Sequence, residues 1–171
     1  EDNRDPGFTQ VYLRRSDNQG EGFHPGIRIS DDDNIEVSYS KIACWEDQVH
    51  VVWMGQDAVS GNQVYYCHSD NGGESFSTPV QLTSAVSESF TPSLAVFENN
   101  IHVAWVDLKD LPSAIRVYYM RSTDGGATWS TEIPLGEMLK EGYLPQIVAD
   151  GQFVHLSWMN INTPPAGEDI Y

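Results

Sequence analysis

The sequence predicts an all-β fold, a β-propeller of four-stranded blades, from two repeated elements. The segments TQVYLRRSDNQGEGF, NQVYYCHSDNGGESF and IRVYYMRSTDGGATW align without gaps and end 53 residues apart, at Phe23, Phe76 and Trp129. The segments VHVVW, IHVAW and VHLSW recur at spacings of 52 and 53 residues. Two elements that recur in fixed order at one period indicate a repeat architecture, and a strand-rich unit of about fifty residues has the size of a propeller blade.

Each unit divides into four strands, here named A to D. In VHVVW, apolar residues alternate with their neighbours at the period of two that is typical of a strand. Residues 64–68 are aromatic and β-branched, while Gly, Asn, Asp and Ser mark the turns. In the middle unit the pattern predicts strands A to D at 40–45, 48–54, 62–69 and 78–83.

The chain as a whole is predicted to be one propeller segment, out of phase with its blades. Its predicted parts are an outer half-blade with the following loop (1–39), two blades (40–91 and 92–144) and an inner half-blade (145–171). That is about three blades, and closed propellers have about four to eight. The chain is therefore interpreted as part of a longer propeller, which is the favoured alternative, or as half of a ring formed by two copies, which the matching phase of its two ends allows. A six-bladed ring is the complete form that the spacing favours.

Charge and composition exclude several classes of protein. The 171 residues contain 9 Lys and Arg against 25 Asp and Glu, a net charge of −16, which disfavours a sequence-independent grip on nucleic acid. The sequence has no apolar run long enough to insert in a membrane. Cys44 and Cys67 have no metal-ligand spacing. Cys44 aligns with Val96 and Ala149, which predicts a place in the core.

The repeated tail S-x-[DN]-x-G-x-x-[FW] is interpreted as a structural turn. A short polar side chain accepts backbone N–H groups, glycine supplies a positive φ, and the aromatic ring pins the hairpin. Asn can replace Asp in this role, because both carry a carbonyl-type acceptor. The predicted structural residues are Ser16, Asn18, Gly20, Phe23, Ser69, Asn71, Gly73, Phe76, Ser122, Asp124, Gly126 and Trp129.

This motif resembles the Asp-box, or bacterial neuraminidase repeat, of the sialidase superfamily. The resemblance implies boxes that lie away from the active site and an extracellular or cell-surface location. It also implies a binding or scaffold propeller for a carbohydrate or protein ligand, in contact with further blades of the same or another chain. Two alternatives stay open: a sialidase-like glycoside hydrolase whose catalytic arginines lie outside this chain, and a structural subunit of a larger assembly.

Ligands of propellers usually meet the end that carries the D–A and B–C loops, where acidic residues outnumber basic ones. Sialidases resemble one another in three arginines that clamp a carboxylate, yet none of the matching positions here is Arg. Tyr39 and Tyr143 are candidates for a nucleophile or for stacking on a sugar, although packing with neighbours is the more common role. The ligand-face candidates are Lys41, Ser93, Asp107, Arg116, Gln146 and Asn160.

Metal sites have little support in the sequence. Asp31 and Asp33 suggest calcium because hard cations favour clustered oxygen ligands, but consecutive loop acids are usually solvated. His50, His102 and His155 recur in successive blades, where sheet packing separates them by about 10 Å. Zinc ligands lie at about 2 Å, so these histidines are interpreted as structural.

Overall fold

The computed structural model describes residues 9–30, 36–57, 61–84, 87–112, 114–136 and 141–161. These residues form strands and connecting turns, and none of them is helical. Accordingly, the described part of the chain holds no helix long and apolar enough to cross a membrane. The strands are β1 (Tyr12–Leu13), β2 (Ile27–Arg28), β3 (Glu36–Trp45), β4 (Gln48–Asp57), β5 (Gly61–Ser69), β6 (Val80–Gln81), β7 (Ser89–Phe97), β8 (Asn100–Asp107), β9 (Arg116–Ser122), β10 (Ile133–Leu135), β11 (Glu141–Asp150) and β12 (Phe153–Ile161).

The strands pair into four antiparallel sheets. Two sheets have four strands, in the orders β3-β4-β5-β6 and β10-β9-β8-β7, and correspond to the predicted A to D units. The other two are β1 with β2, an outer C–D pair, and β11 with β12, an inner A–B pair. The predicted all-β fold of four-stranded units is therefore confirmed. That residues 1–171 form a single propeller segment stays a prediction.

Strand A is longer than predicted because a bulge interrupts it. In the first four-stranded sheet the strand begins at Glu36 instead of residue 40, and its pairing with β4 shifts between Ser38 and Lys41. The same shift recurs in β7 and β11. At each bulge one non-glycine residue has a positive φ, namely Tyr39 (53°), Thr91 (47°) and Leu144 (50°). Such a bulge breaks the period-two pattern by which a strand is recognised in the sequence.

The core lies between neighbouring sheets. One cluster joins Val52, Val64 and Tyr66 of the first four-stranded sheet to Leu94 and Trp105 of the second. A second cluster joins the β1–β2 pair to β4 and β5, with Leu13, Ile29 and Trp53 among its buried members. Burial of these apolar faces holds successive blades together, as stacking does in repeat proteins.

Two of the recurring histidines pair with tyrosines of strand C. The His50 Nδ1 atom lies 2.8 Å from the Tyr66 hydroxyl, and His102 Nδ1 lies 2.8 Å from the Tyr119 hydroxyl. Both histidines are buried. Their neighbours are the tyrosines of the same blade, which fits the structural role expected of them.

Cys44 departs from its prediction. Its side chain is exposed, whereas Cys67 is completely buried. The expectation that Cys44 fills the core is therefore wrong. Alignment with Val96 and Ala149 misled because those residues are themselves only partly buried.

Candidate functional site

The loops meet at two opposite ends of the strands. At one end the Gly72 amide donates to the Asp47 carbonyl (2.7 Å), so the loop between strands C and D lies beside the A–B turn. At the other end the Leu108 amide donates to the Glu88 carbonyl (3.1 Å), so the residue after strand B lies beside the residue before strand A. We call this second end the A-start end. The two ends carry the loops that the sequence assigns to them.

Three glutamates share one position at the A-start end. Glu36, Glu88 and Glu141 stand three residues before the bulge residues of strand A, at spacings of 52 and 53. Glu36 and Glu88 are exposed and Glu141 is partly buried. Sequence reasoning counted them among the acids of this end but missed that they recur. The signal was available, since they follow the period of the other repeats.

Glu88 is fixed in the junction between two blades. Its Oε2 atom accepts a hydrogen bond from the Asn62 amide nitrogen on β5 (2.6 Å). Gly61 lies so close that a Cβ atom there would stand 3.0 Å from Glu88 Cγ, and its φ of +66° suits glycine. The carboxylate is therefore held by Asn62, while the Glu88 residue remains exposed to solvent.

Glu141 has a different partner. The Tyr143 hydroxyl donates to Glu141 Oε2 (2.6 Å), and this bond, together with some burial, raises the pKa of Tyr143 above its ordinary value. Ile115 occupies the repeat position of Asn62 and has no side-chain donor for Glu141. Phe90 occupies the repeat position of Tyr143 and has no hydroxyl for Glu88. Two equivalent carboxylates are thus held by different groups in successive units.

Asp107 is a buried structural carboxylate. It is 1% exposed and accepts hydrogen bonds from the hydroxyls of Ser87 (2.5 Å) and Ser89 (2.9 Å), from Trp105 Nε1 (3.2 Å) and from the Lys109 amide (2.8 Å). Burial pushes its pKa up, but the bonds from Ser87, Lys109 and Trp105 outweigh burial and hold the pKa below its ordinary value. Its oxygens are therefore occupied by donors of this chain.

Arg116 is held by its own surroundings. Its Nη1 atom lies 3.3 Å from Asp110 Oδ2, and its Nη2 atom donates to the Gly136 carbonyl (3.3 Å). The Tyr118 hydroxyl donates to the same Asp110 oxygen (2.7 Å); burial and this bond raise the pKa of Tyr118. The arginine predicted to face a ligand is thus paired with a carboxylate of the chain.

Lys109 is held in the same way. Its ammonium group pairs with Glu132, lies 3.6 Å from Asp107 Oδ2, and stands 3.8 Å from the centre of the Tyr118 ring. Its side chain is 19% exposed. Both Lys109 and Arg116 are therefore neutralised locally.

The remaining ligand-face candidates divide between surface and core. Lys41, Gln146 and Asn160 are exposed. Ser93 is buried at 4% exposure, and its hydroxyl accepts the amide of Ile147 from the neighbouring sheet (3.1 Å), so it links two blades. A ligand role for these positions stays a prediction.

The three C–D loops repeat one hydrogen-bond pattern. The serine hydroxyls of residues 16, 69 and 122 each accept the glycine amide four residues later at 2.9 Å. Oδ1 of Asn18, Asn71 and Asp124 accepts a backbone amide at 2.9 to 3.0 Å. Hydrogen bonds from Thr128 and Ser122 lower the pKa of Asp124 to about 2. Asn and Asp therefore accept the same backbone bond in the three loops. Of the three aromatic rings, Phe76 and Trp129 pack against the core clusters, whereas Phe23 is 59% exposed. That the motif is purely structural stays a prediction.

The structure does not test the calcium site that the sequence suggests at Asp31 and Asp33. Asp31 and Asp33 lie outside the described residues. Within the described ranges, no group of three or more His, Cys, Asp or Glu is arranged to hold an ion.

No protein-family model matches the sequence, and no curated protein matches it either. Solved structures do. An α-L-arabinofuranosidase of Fusarium graminearum in complex with arabinobiose has a TM-score of 0.69 at 13% identity, over 97% of this chain and 53% of that one. An α-L-arabinanase of Penicillium chrysogenum, also with arabinobiose, has a TM-score of 0.57 at 12% identity, over 93% of this chain and 53% of that one. The NanB sialidase of Streptococcus pneumoniae has a TM-score of 0.56 at 12% identity, over 85% of this chain and 23% of that one.

The likeness defines the fold of this chain as that of the β-propeller glycosidases. At these identities it shows the fold alone. The chain spans about half the length, 53%, of the two fungal enzymes.

Proposed function

We propose that the chain is part of a carbohydrate-recognising propeller that binds its glycan at the A-start end. The observation that supports this most is the pair of carboxylates on successive units, Glu88 and Glu141, each fixed by a neighbouring side chain. Carboxylate oxygens accept hydrogen bonds from hydroxyl groups, which saccharides present in quantity. The two fungal propellers of similar fold are complexed with arabinobiose.

Glycoside hydrolysis is the second candidate, because it needs two carboxylates in different environments. Glu88 accepts from an amide and Glu141 accepts from a phenol, so their environments differ. Tyr143 is less suited to act as the nucleophile, since its raised pKa disfavours the phenolate. In this hypothesis Glu88 and Glu141 are the two catalytic carboxylates, and Tyr143 positions Glu141.

The sialidase-like form of this proposal needs arginines from outside the chain. Arg116 is paired with Asp110 and Gly136, so it is not free to clamp a substrate carboxylate. The hydrogen-bond pattern of the C–D loops supports the Asp-box reading. Resemblance to that superfamily supports an extracellular or cell-surface location.

Contact with further blades is part of the same proposal. On β11 and β12 the side chains of Val148, Phe153 and Met159 are each more than half exposed. Apolar surface of this kind is typical of faces that pack against another element. A protein ligand and a structural assembly remain the alternatives to glycan recognition.

A glycan microarray tests the proposal. The labelled full chain is applied to neutral arabino-, galacto- and gluco-oligosaccharides and to sialylated glycans on one surface. Binding to any of these classes, competed by the free sugar, is the expected result. Uniform absence of binding, with the chain shown to be folded by circular dichroism, would contradict it.

A further inference from the structure

We infer that the A-start end takes a neutral, hydroxyl-rich saccharide, with Glu88 and Asn62 as one hydroxyl-binding subsite. This inference rests on the proposed function and names its ligand class. It assigns neighbouring hydroxyls of one sugar to the Glu88 carboxylate and to the Asn62 amide oxygen. It excludes an anionic sugar as the preferred ligand.

Asn62 is held in one orientation by Glu88. The residue is only 8% exposed, and its amide nitrogen donates to Glu88 Oε2 at 2.6 Å. This bond fixes which way the amide points, because the opposite orientation would bring two acceptors together. The amide oxygen is bonded to the same carbon as that nitrogen, so it also lies beside the carboxylate.

Within the described residues, the Asn62 amide oxygen lacks a hydrogen-bond donor. It is buried and has no hydrogen-bond partner among the described residues. Buried polar atoms are usually satisfied, and each exception calls for a partner such as a water or a ligand. The oxygen is closed to solvent in this structure, so a ligand hydroxyl at Glu88 supplies the missing donor through a small local opening beside Glu88. A ligand carboxylate would not, because it only accepts.

Acidic residues dominate the charge of the A-start end. Glu36, Glu88 and Glu141 recur there, and the cations Lys109 and Arg116 are each paired with carboxylates of the chain. An anionic sugar would meet acidic groups without a free arginine fork, which is the preferred receptor for a carboxylate. The exposed Lys41 is an ammonium group and does not replace that fork, whereas the hydroxyls of a neutral sugar can donate to the acidic groups.

The backbone supports the same subsite. Gly61 approaches Glu88 so closely that any side chain at position 61 would meet the Glu88 Cγ and Cδ atoms, at 3.0 and 3.3 Å from a Cβ. Glu88 is therefore placed by two adjoining residues of β5, through the bond from the Asn62 amide and through the close approach of Gly61. Such placement of a binding group before the ligand arrives lowers the cost of binding.

Isothermal titration calorimetry on the full chain tests the inference, with arabinobiose, a neutral galacto-disaccharide and 3′-sialyllactose as probes. We expect at least one neutral sugar to bind and sialyllactose to bind at least tenfold more weakly. Tighter binding of sialyllactose would overturn the inference and leave the proposed function standing. If no saccharide binds the folded chain, the inference and the proposed function both fail.

Two variants locate the subsite. Glu88→Gln keeps the size of the side chain but removes the charge, and Asn62→Thr introduces the residue that the chain itself carries at the equivalent position, Thr9. Each is expected to weaken neutral-sugar binding about tenfold, the typical effect of one hydrogen bond to a charged or buried group. Glu98→Gln, an exposed glutamate in the A–B turn at the other end, is the matched control and should leave affinity unchanged. Unchanged affinity in both Glu88→Gln and Asn62→Thr would overturn the assignment.

Discussion

At the scale of single residues, Asp124 differs from Asn18 and Asn71 in charge but not in the backbone bond it accepts. Asp124 also accepts the Thr128 hydroxyl, whereas the Asn71 amide nitrogen donates to the Ser75 hydroxyl at 2.9 Å. The contact between this side chain and a hydroxyl is present in both loops, but the donor and the acceptor are exchanged, because a hydroxyl can donate or accept. The position therefore serves hydrogen bonding in all three loops, and in the third loop the lowered pKa of Asp124 indicates that the fold also favours the carboxylate.

Asp124→Asn and Ser122→Ala should separate these roles. Asp124→Asn is expected to lower the Tm only slightly at pH 7, because Asn71 shows that the amide makes the same loop and the variant loses only the preference of the loop for a carboxylate. Ser122→Ala removes the acceptor of the Gly126 amide and should cost about 1–3 kcal/mol, or a Tm lower by several degrees. Differential scanning calorimetry measures both. A larger loss in Asp124→Asn than in Ser122→Ala would contradict the structural reading.

Gly126→Ala should be among the most damaging single changes in the C–D loops. A Cβ at position 126 would stand 2.2 Å from the Tyr66 hydroxyl oxygen, and the φ of +95° is unfavourable for alanine. Gly125→Ala is the matched control, since its φ is +73° but nothing lies within 4 Å. Strain alone costs about 1–3 kcal/mol. Urea unfolding should show a clearly greater loss for Gly126→Ala, and equal losses would refute the packing against Tyr66.

At the scale of elements, strands A and B show which features of a strand the sequence predicts and which it does not. The strands around Trp53 were predictable because period-two alternation marks them. The first four residues of β3 were not, because the bulge at Tyr39 shifts the register and hides the alternation. The type of each strand follows from local pattern, whereas its start depends on a backbone irregularity.

The candidate site shows the same division. The end of the strands that carries it was predictable from the order of the loops. The contact between Asn62 and Glu88 was not, because it joins β5 to a residue 26 positions later in the connection that leads into the next sheet. Asp107 and Arg116 were expected to face a ligand, yet Asp107 is buried and Arg116 is paired within the chain. Their partners lie in the loops of the same unit, and how those loops fold back over the strands is not recorded in a local sequence pattern.

The burial of His50 on strand B predicts that the stability of the fold depends on pH. Burial and the nearby His68 lower the pKa of His50 from 6.5 to about 4, so the folded chain keeps this ring neutral while the unfolded chain protonates it. The stability that the neutral His50 ring contributes is fully present above pH 6.5 and is lost as the pH falls from about 6.5 to about 4. The free energy of unfolding should therefore decrease over that window.

His50→Gln isolates the contribution of this ring. Glutamine can accept a hydrogen bond from Tyr66 but does not titrate, so the variant should show a shallower loss of stability between pH 6.5 and 4 than the parent. Urea unfolding at half-unit pH steps gives both slopes. Identical slopes would mean that another group accounts for the acid sensitivity.

At the scale of the whole molecule, the net charge of −16 opposes compaction. Both ends of the strands contribute, with the repeated glutamates at one end and Glu46, Asp47 and Glu98 in the A–B turns at the other. The few described ion pairs, such as Arg15 with Glu74 at 3.0 Å, neutralise little of this charge. Repulsion among surface charges therefore exceeds their local attraction.

Salt should consequently stabilise the chain. Raising NaCl from about 0.02 to 0.5 M shortens the distance over which charges interact from about 20 Å to a few Å, so repulsion among the acids is screened and the Tm should rise. Scanning fluorimetry across a NaCl series measures this. A falling Tm would mean that the ion pairs outweigh the repulsion.

Divalent ions separate general screening from a specific site. Screening alone predicts the same Tm in CaCl₂ and in MgCl₂ at equal ionic strength, because both cations carry the same charge. A calcium site at Asp31 and Asp33 predicts an additional rise with calcium only, since a dedicated site discriminates by cavity size and ligand number. We expect equal curves, because consecutive loop acids are usually solvated. A calcium-specific rise that Asp31→Asn and Asp33→Asn together abolish would establish the site instead.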